Sequence, residues 1–421
     1  MAKFLNIINQ VPNVLIGTTY YAVGFTPTTS RSSVISSTDA INWSIVWSTP
    51  QIVPNATILI GGMVSDGSTV IVVGYDNNTT SPHQVPRVVV YHNGIWSSQI
   101  LPQSPINSGG AIFGDLSPAV ALKPNSTIAC AVGADNSLGG GVAAIWTTTD
   151  LSTWSVQHFA GVLSSIDCIT WSSTYNKFIA IGGVNSSCHV LTSSDGITWS
   201  EVYTDALFRF GYCIVDNGIN TYIIRETSGD TNNVRILTTT DSIIWTPHDF
   251  SNNAPFNYSA YDQNDQLIWD SISGRWLLAG AIDPVGDQLG LFWSTDFLTW
   301  NTGFNPLIVT SHVYQFYSIC RIGTKLFAGG TYNNEDTFSN AVDLQLAVST
   351  DNGSSWTAYE PSPVFTASSY LWSSLLPPPN GTRLIASVYD PNLGYVTTRY
   401  SDNDGTTWIQ SSTTTFGTSV Y

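Results

Sequence analysis

The sequence predicts an all-β chain, a β-propeller of four-stranded blades. Three observations carry this: composition, a phrase recurring at blade spacing, and strand-length apolar runs between the recurrences. Of 421 residues only 10% are charged, against about 25% in an average soluble domain, while 43% are hydrophobic and 12% aromatic. Disorder is excluded for the bulk of the chain, because disordered segments combine few aromatics with high charge. Lys, Glu and Met are scarce while Thr, Ser, Val, Ile, Gly and Asn abound, which starves helices and favours strands.

The recurring phrase sets the organisation. Ser37-Thr38-Asp39-Ala40-Ile41-Asn42-Trp43 returns around Asp150 and Trp154, Asp195 and Trp199, Asp241 and Trp245, Asp296 and Trp300, and Asp351 and Trp356. A last copy reads Ser401-Asp402-Asn403-Asp404-Gly405-Thr406-Thr407-Trp408, and a shortened one, His92-Asn93-Gly94-Ile95-Trp96, lacks the Asp. The eight tryptophans stand 45 to 58 residues apart, so about eight units fill residues 1–421 as a single domain. Seven blades are the alternative if the degenerate second unit or the terminal strands merge with neighbours.

Each unit divides into strands. In the fourth, residues 165–170, 177–182, 188–192 and 198–203 are strand-length and separated by turn formers. The second strand is an apolar run in other units too: Val70–Gly74, Leu277–Gly280, Leu326–Gly330 and Leu384–Val388. Four strands per unit make a blade, and blades packed face to face around an axis leave only short protected edges. The Asp of each phrase accepts hydrogen bonds from the amides of the turn that follows, a Gly or Asn takes positive φ, and the Trp returns to pack between blades. Asp39, Asp150, Asp195, Asp241, Asp296, Asp351 and Asp404 are thus read as turn staples, with Asp402 a rival for Asp404. Ring closure is left open between Phe4–Gln10 and Thr414–Tyr421.

The phrase resembles the Asp-box, or bacterial neuraminidase repeat, of sialidase-like β-propellers, and the resemblance covers essentially the whole chain. Its glycine stands only at Gly196, Gly353 and Gly405. The resemblance implies a propeller; a catalytic sialidase would also need three arginines from different blades, a Tyr/Glu nucleophile pair and an acidic proton donor. No Arg-Ile-Pro segment is present, Glu occurs only at positions 201, 226, 335 and 360, and Arg209, Arg225 and Arg235 all fall in one unit. A non-catalytic member of the superfamily is therefore expected.

Other chemistry is thinly supplied. Asp115, Asp167, Asp270 and Asp283 lie off the boxes, without spacing that pairs two carboxylates across a sugar. The six histidines show no HxxxH or HExxH pattern and read as isolated polar surface or edge residues. Asp402-Asn403-Asp404-Gly405 lacks the distal Glu of a calcium loop. The five cysteines form no CxxC and read as buried free thiols. No metal or cofactor is expected. A net charge of -16 without a basic run disfavours nucleic acid. No apolar run reaches the ~18 residues of a membrane helix, and the N-terminal residues do not read as a secretory signal. Trp171, Trp269 and Trp372, each opening a Trp-x-Ser triplet, read as core filler at the ends of first strands.

The ligand-facing expectation falls on the end opposite the boxes. There the segments between units carry aromatics among small polar residues: Phe208, Arg209 and Phe210; Tyr258 and Tyr261; Tyr314 and Phe316; and Tyr370. Rings beside Asn, Gln and Asp suit the C–H patches and hydroxyls of carbohydrate. The first functional expectation is a recognition or adhesion module on an exterior surface, as in phage or viral appendages, binding a glycan or host-surface receptor and other virion or surface proteins, with homo-oligomerisation open. A sialidase-like hydrolase and a structural virion docking protein are the alternatives, and a cytoplasmic location is the alternative to display outside.

Overall fold

The computed structural model describes residues 19–413 apart from 27–30, 40, 49–55, 78–83, 103–110, 114–119, 136–140, 161, 185–186, 206–207, 228–232, 252–266, 282–288, 305–311, 335–341, 360–371, 377–382, 391–394 and 411. Among these residues eight sheets follow one another in chain order. Sheet 4 shows the plan. Its strands a to d, Ser165–Ser172, Lys177–Val184, Ser187–Ser193 and Ser200–Asp205, form an antiparallel meander whose ends lie within two residues of those read from the sequence. The same order recurs over residues 56–100, 208–251, 267–304, 312–359 and 372–410. In sheet 3 the first strand is broken into Ala111–Phe113 and Val120–Leu122, both paired with Ala129–Asp135.

Successive sheets share apolar interfaces. Strand b of sheet 4 explains why that strand is apolar throughout: Phe178 and Ala180 face sheet 3, while Ile179 and Ile181 face sheet 5, and all four are fully buried. A strand buried on both faces loses the polar alternation of a surface strand. Val34 packs with Val70, Val72 and Val89 between sheets 1 and 2; Ile71 and Val88 with Ala129 and Trp146 between 2 and 3. Val215 and Ile236 meet Trp276 and Phe292 between 5 and 6, and Leu277 and Leu291 meet Phe316 and Leu326 between 6 and 7. The Cys130, Cys168, Cys188 and Cys320 thiols are buried in or beside these layers, and burial pushes those of Cys130 and Cys320 up to about 12.

The last sheet returns to the first. Ser412 and Thr413 pair in parallel with Asn42 and Trp43, while Arg383 donates to Asp39 O at 2.6 Å. The closing pair thus ends just before Thr414, where the sequence expectation begins. Arg383 belongs to a pattern that the sequence reading missed. A cation at or just before strand b reaches the c–d turn of the next sheet: Lys177 to Ser242 Oγ at 3.2 Å, Arg275 to Ser354 Oγ at 2.6 Å, Lys325 to Asp404 at 2.6 Å, and Arg383 to Asp39.

The staples form as expected in six copies. Asp195 Oδ1 accepts from the amides of Ile197 and Thr198, both at 2.8 Å, and from Ser193 Oγ at 3.0 Å. Asp39, Asp150, Asp241 and Asp296 repeat this pattern, and Asp351 accepts from the Ser355 amide. The seventh is a correction: Asn403 Oδ1 takes the Thr407 amide at 2.9 Å, and neither Asp404 nor Asp402 does. The staple stands two places after the strand-ending Ser, and that place holds Asn403; Asp402 instead binds Arg383, and Asp404 binds Lys325. The shortened copy is a two-residue hairpin turn, Asn93 and Gly94 both at positive φ.

After Asp150, Asp195, Asp241 and Asp296 the backbone is left-handed, at Leu151 (φ 62°), Gly196 (74°), Ser242 (63°) and Phe297 (67°). A non-glycine there costs on the order of 1 kcal/mol. Phe297 offsets it by burying its ring against Trp276 and Trp300, at centroid separations of 4.7 and 5.6 Å. At Gly196 no side chain fits, since a Cβ would stand 2.7 Å from Cys130 Sγ. The indoles then close the turns: Trp199, Trp300, Trp356 and Trp408 donate Nε1–H to the carbonyls of Gly196, Phe297, Gly353 and Gly405.

Candidate functional site

The structure redistributes the aromatic set. Phe208, Arg209 and Phe210 are not loop residues; they begin strand Phe208–Asp216. Tyr314 and Phe316 lie inside strand His312–Ile322. Phe316 is a correction: it is fully buried, edge-on to Phe304 at 5.5 Å, in the layer between sheets 6 and 7. Its strand is apolar enough to be drawn into the interface, so the ring is core and is unavailable to a ligand. Tyr258, Tyr261 and Tyr370 lie outside the described residues. Trp171 and Trp269 pack beside Phe178 and Trp276 as expected of filler, whereas Trp372 opens its strand instead of ending it.

The three arginines of the fifth unit do fall in one sheet. Arg225 stands opposite Arg235 on the neighbouring strand, and Arg235 opposite Asp249 on the next. A clamp drawn from several blades is not what this register assembles.

Two polar clusters that the sequence reading passed over appear instead, both using histidine. In sheet 3, Asp135 is fully buried and its carboxylate meets His158 Nε2 at 2.8 Å. In sheet 4, His189 is 8% exposed, with Ser187 Oγ 2.9 Å from Nε2 and Glu201 Oε2 2.9 Å from Nδ1. Hydrogen bonds from Thr204 and His189 hold the Glu201 carboxyl below the usual range against the opposing effect of burial. These histidines are therefore paired struts, not isolated surface residues. The signal was available: Ser187 and His189 alternate on a strand and so share one face.

Ser187 Oγ also donates to Val184 O at 2.6 Å, so the hydroxyl is held by the backbone just before strand c as well as lying beside the ring. The arrangement ties the start of strand c to strand d.

Of the carboxylates off the boxes, Asp115 and Asp283 lie outside the described residues, while Asp270 and Asp167 each have a partner. Asp270 is gripped by Arg321 at 2.7 and 2.5 Å across sheets 6 and 7, and Asp167 accepts from Ser165 Oγ at 2.7 Å. Amide hydrogen bonds hold the Asp39, Asp150, Asp195 and Asp241 carboxyls well below their ordinary range, and they do the same at Asp296 against burial; at Asp351 the opposing burial is outweighed by bonds from Ser355 and Ser349. Among the described residues no group of three or more His, Cys, Asp or Glu is placed to hold a metal ion, and no helix is long and apolar enough to cross a membrane.

No protein-family model matches the chain, and no curated protein matches it. Solved structures do resemble it. The dihydro-heme d1 dehydrogenase NirN in complex with DHE is 10% identical, with 97% of this chain and 75% of that chain covered at a TM-score of 0.54. The β-propeller domain of the Trilobed protease from Pyrococcus furiosus is 12% identical over 85% of this chain and 98% of its own, at 0.44. A puromycin-hydrolyzing peptidase of Mycobacterium tuberculosis is 10% identical over 86% of this chain and 54% of that one, at 0.49. With the successive four-stranded sheets, the likeness to NirN defines the class: this chain is a β-propeller. At such identities the likeness extends to fold alone.

Proposed function

We propose that the chain is an eight-bladed, non-enzymatic recognition or adhesion module, displayed on an exterior surface in the manner of a phage or viral appendage component. Its ligand is a carbohydrate or a protein, bound at the end remote from the Asp turns. The observation that carries this reading is the difference between the two ends. In five sheets strands a and b are joined by short segments, 66–68, 173–176, 217–220, 271–274 and 323–324, while 123–128 and 377–383 are longer. From strand d to the next strand a the sequence runs over 101–110, 252–266, 305–311 and 360–371, stretches that include Tyr258, Tyr261 and Tyr370, while 159–164 and 206–207 are shorter. Recognition residues concentrate on long connections held by a rigid scaffold. The commitment of six repeat carboxylates to turn amides supports a non-enzymatic reading. Similar blades offer repeated weak contacts that multivalent display strengthens.

The test is a broad glycan array, bacterial surface polysaccharides included, probed with labelled protein. Binding that falls at least tenfold in Tyr258→Ala or Tyr370→Ala, with the melting temperature unchanged, is the expected result. Silence across the array removes the carbohydrate branch and leaves protein docking.

A further inference from the structure

Asparagine followed by glycine is a reactive pair, because a glycine nitrogen with no side chain beside it can attack the asparagine side-chain carbon and expel ammonia. Three such pairs lie among the described residues, Asn93-Gly94, Asn217-Gly218 and Asn352-Gly353, each between strands at the Asp-turn end. A fourth, Asn380-Gly381, lies outside them.

The reacting groups are the same in each pair, and what differs is how the fold holds them. In the a–b connection of sheet 5, Asn217 Oδ1 accepts from the amides of Ile219 and Asn220 at 2.9 and 2.8 Å. The Gly218 N–H donates to Asp216 Oδ1 at 2.7 Å. In the c–d turn of sheet 7, Asn352 Oδ1 accepts from Arg321 Nη2 at 2.8 Å, and the main-chain carbonyl of Asn352 accepts from Arg275 Nη1 at 3.0 Å. There the buried Gly353 donates its N–H to Ser349 Oγ at 2.8 Å.

The pair in the shortened copy has none of these restraints. Asn93 and Gly94 are exposed, no hydrogen bond holds the Asn93 side-chain amide among the described residues, and a Cβ at Gly94 would meet no atom within 4 Å. Attack requires the asparagine ψ to rotate until the glycine nitrogen faces the side-chain carbon, so the bonds that hold either group must break first. At Asn217 and Asn352 two or more bonds stand in the way. At Asn93 the rotation disturbs only the hairpin tip between the paired His92 and Ile95.

We propose that the fold selects Asn93 as a site of spontaneous deamidation in the native protein. The Gly94 nitrogen bonds to Asn93 Cγ, the Cγ–Nδ2 bond breaks, and Nδ2 leaves as ammonia with the proton that Gly94 gives up. Water then opens the five-membered imide. Attack at the side-chain carbonyl gives aspartate, and attack at the main-chain carbonyl gives isoaspartate, in which the chain runs through Cγ. The sum consumes one water and releases one ammonia. Either product adds a negative charge to the Asp-turn end. Isoaspartate also lengthens the main chain by one carbon in the turn that sets Tyr91 opposite Trp96, whose rings stand 5.1 Å apart. Trp96 packs in turn on Tyr21 of sheet 1 at 5.9 Å, so the reaction marks the contact between sheets 1 and 2 as the protein ages.

The test incubates the purified full chain in mildly alkaline buffer made with heavy-oxygen water, then maps peptides by mass spectrometry after digestion at mildly acidic pH. Each opened imide gains one heavy oxygen, and fragmentation places it. Asn93 should take up label roughly tenfold or more faster than Asn217 and Asn352, whose bonds must break before attack. In denaturant the three should converge to within a few-fold. The variant Asn93→Gly, which keeps residues suited to the turn, should lose the acidic species that grows with time on native isoelectric focusing, with the melting temperature unchanged. An unlabelled Asn93, or label at Asn217 or Asn352 arriving as fast, overturns the proposal. So does an order of reaction that persists in denaturant, which would assign the selection to neighbouring residues instead of the fold.

Discussion

At the residue scale, the repeat is a device for turning strand c into strand d, and its chemistry is spent there. Asp195 shows it: two amides and one hydroxyl converge on a single carboxylate oxygen. The last copy does the same with the neutral Asn403, so what the turn requires is an acceptor of the right length more than a charge. Asp195→Asn should therefore keep most of the staple, while Asp195→Ala should cost about 1 kcal/mol, as removal of a capping acceptor does. Chemical denaturation of both variants checks this; equal losses would show that the charge itself matters. The box aspartates and tryptophans were legible because their pattern is local. Asn403 was hidden because Asp402 and Asp404 on either side look like better candidates, and only the hydrogen bonds count from Ser401.

At the element scale, a sheet is stabilised by the neighbour it faces, and the apolar runs foretold that. The polar links between sheets were not foretold, since they join residues far apart in the chain. Arg321 on strand a of sheet 7 and Asp270 at the end of strand a of sheet 6 are 10% and 4% exposed and bonded twice. Asp270→Ala leaves a guanidinium buried without its carboxylate and should destabilise by roughly 3 to 5 kcal/mol. The double variant Asp270→Leu, Arg321→Met should recover most of this, because it removes both charges together. Thermal unfolding of the two proteins decides between them; equal losses would assign the cost to packing. The same distance dependence hid the cationic links of Lys177, Arg275, Lys325 and Arg383, which read in sequence as scattered charges.

At the scale of the whole molecule, the repeated staples act together as an acid sensitivity. Asp39, Asp150, Asp195, Asp241, Asp296 and Asp351 all have carboxyls held below their ordinary value. A group whose folded value is depressed contributes stability above its unfolded value, about 3.9 for Asp, and loses it as pH falls toward the folded value. Stability should therefore hold from pH 7 to about 5 and decline below about 4. Relief of self-repulsion among the carboxylates acts in the opposite direction, but it is spread over the surface, whereas each staple loses direct hydrogen bonds. Melting temperature against pH at constant ionic strength measures the balance; a rise below pH 4 would show repulsion winning.

By itself the sequence determined the class of fold, the strand bounds of a unit, the six carboxylate staples and the burial of four of the five cysteines, all of which follow from spacing and alternation within some fifty residues. The tertiary structure alone decided which rings are core. Phe316 looks like a rim aromatic in sequence and is buried because the facing surface of sheet 6 completes its environment. It also decided which cation reaches which turn of the next sheet, and that Ser412 and Thr413 pair with Asn42 and Trp43. Each of these depends on contacts between segments that the sequence separates, and no local pattern records the partner across the gap.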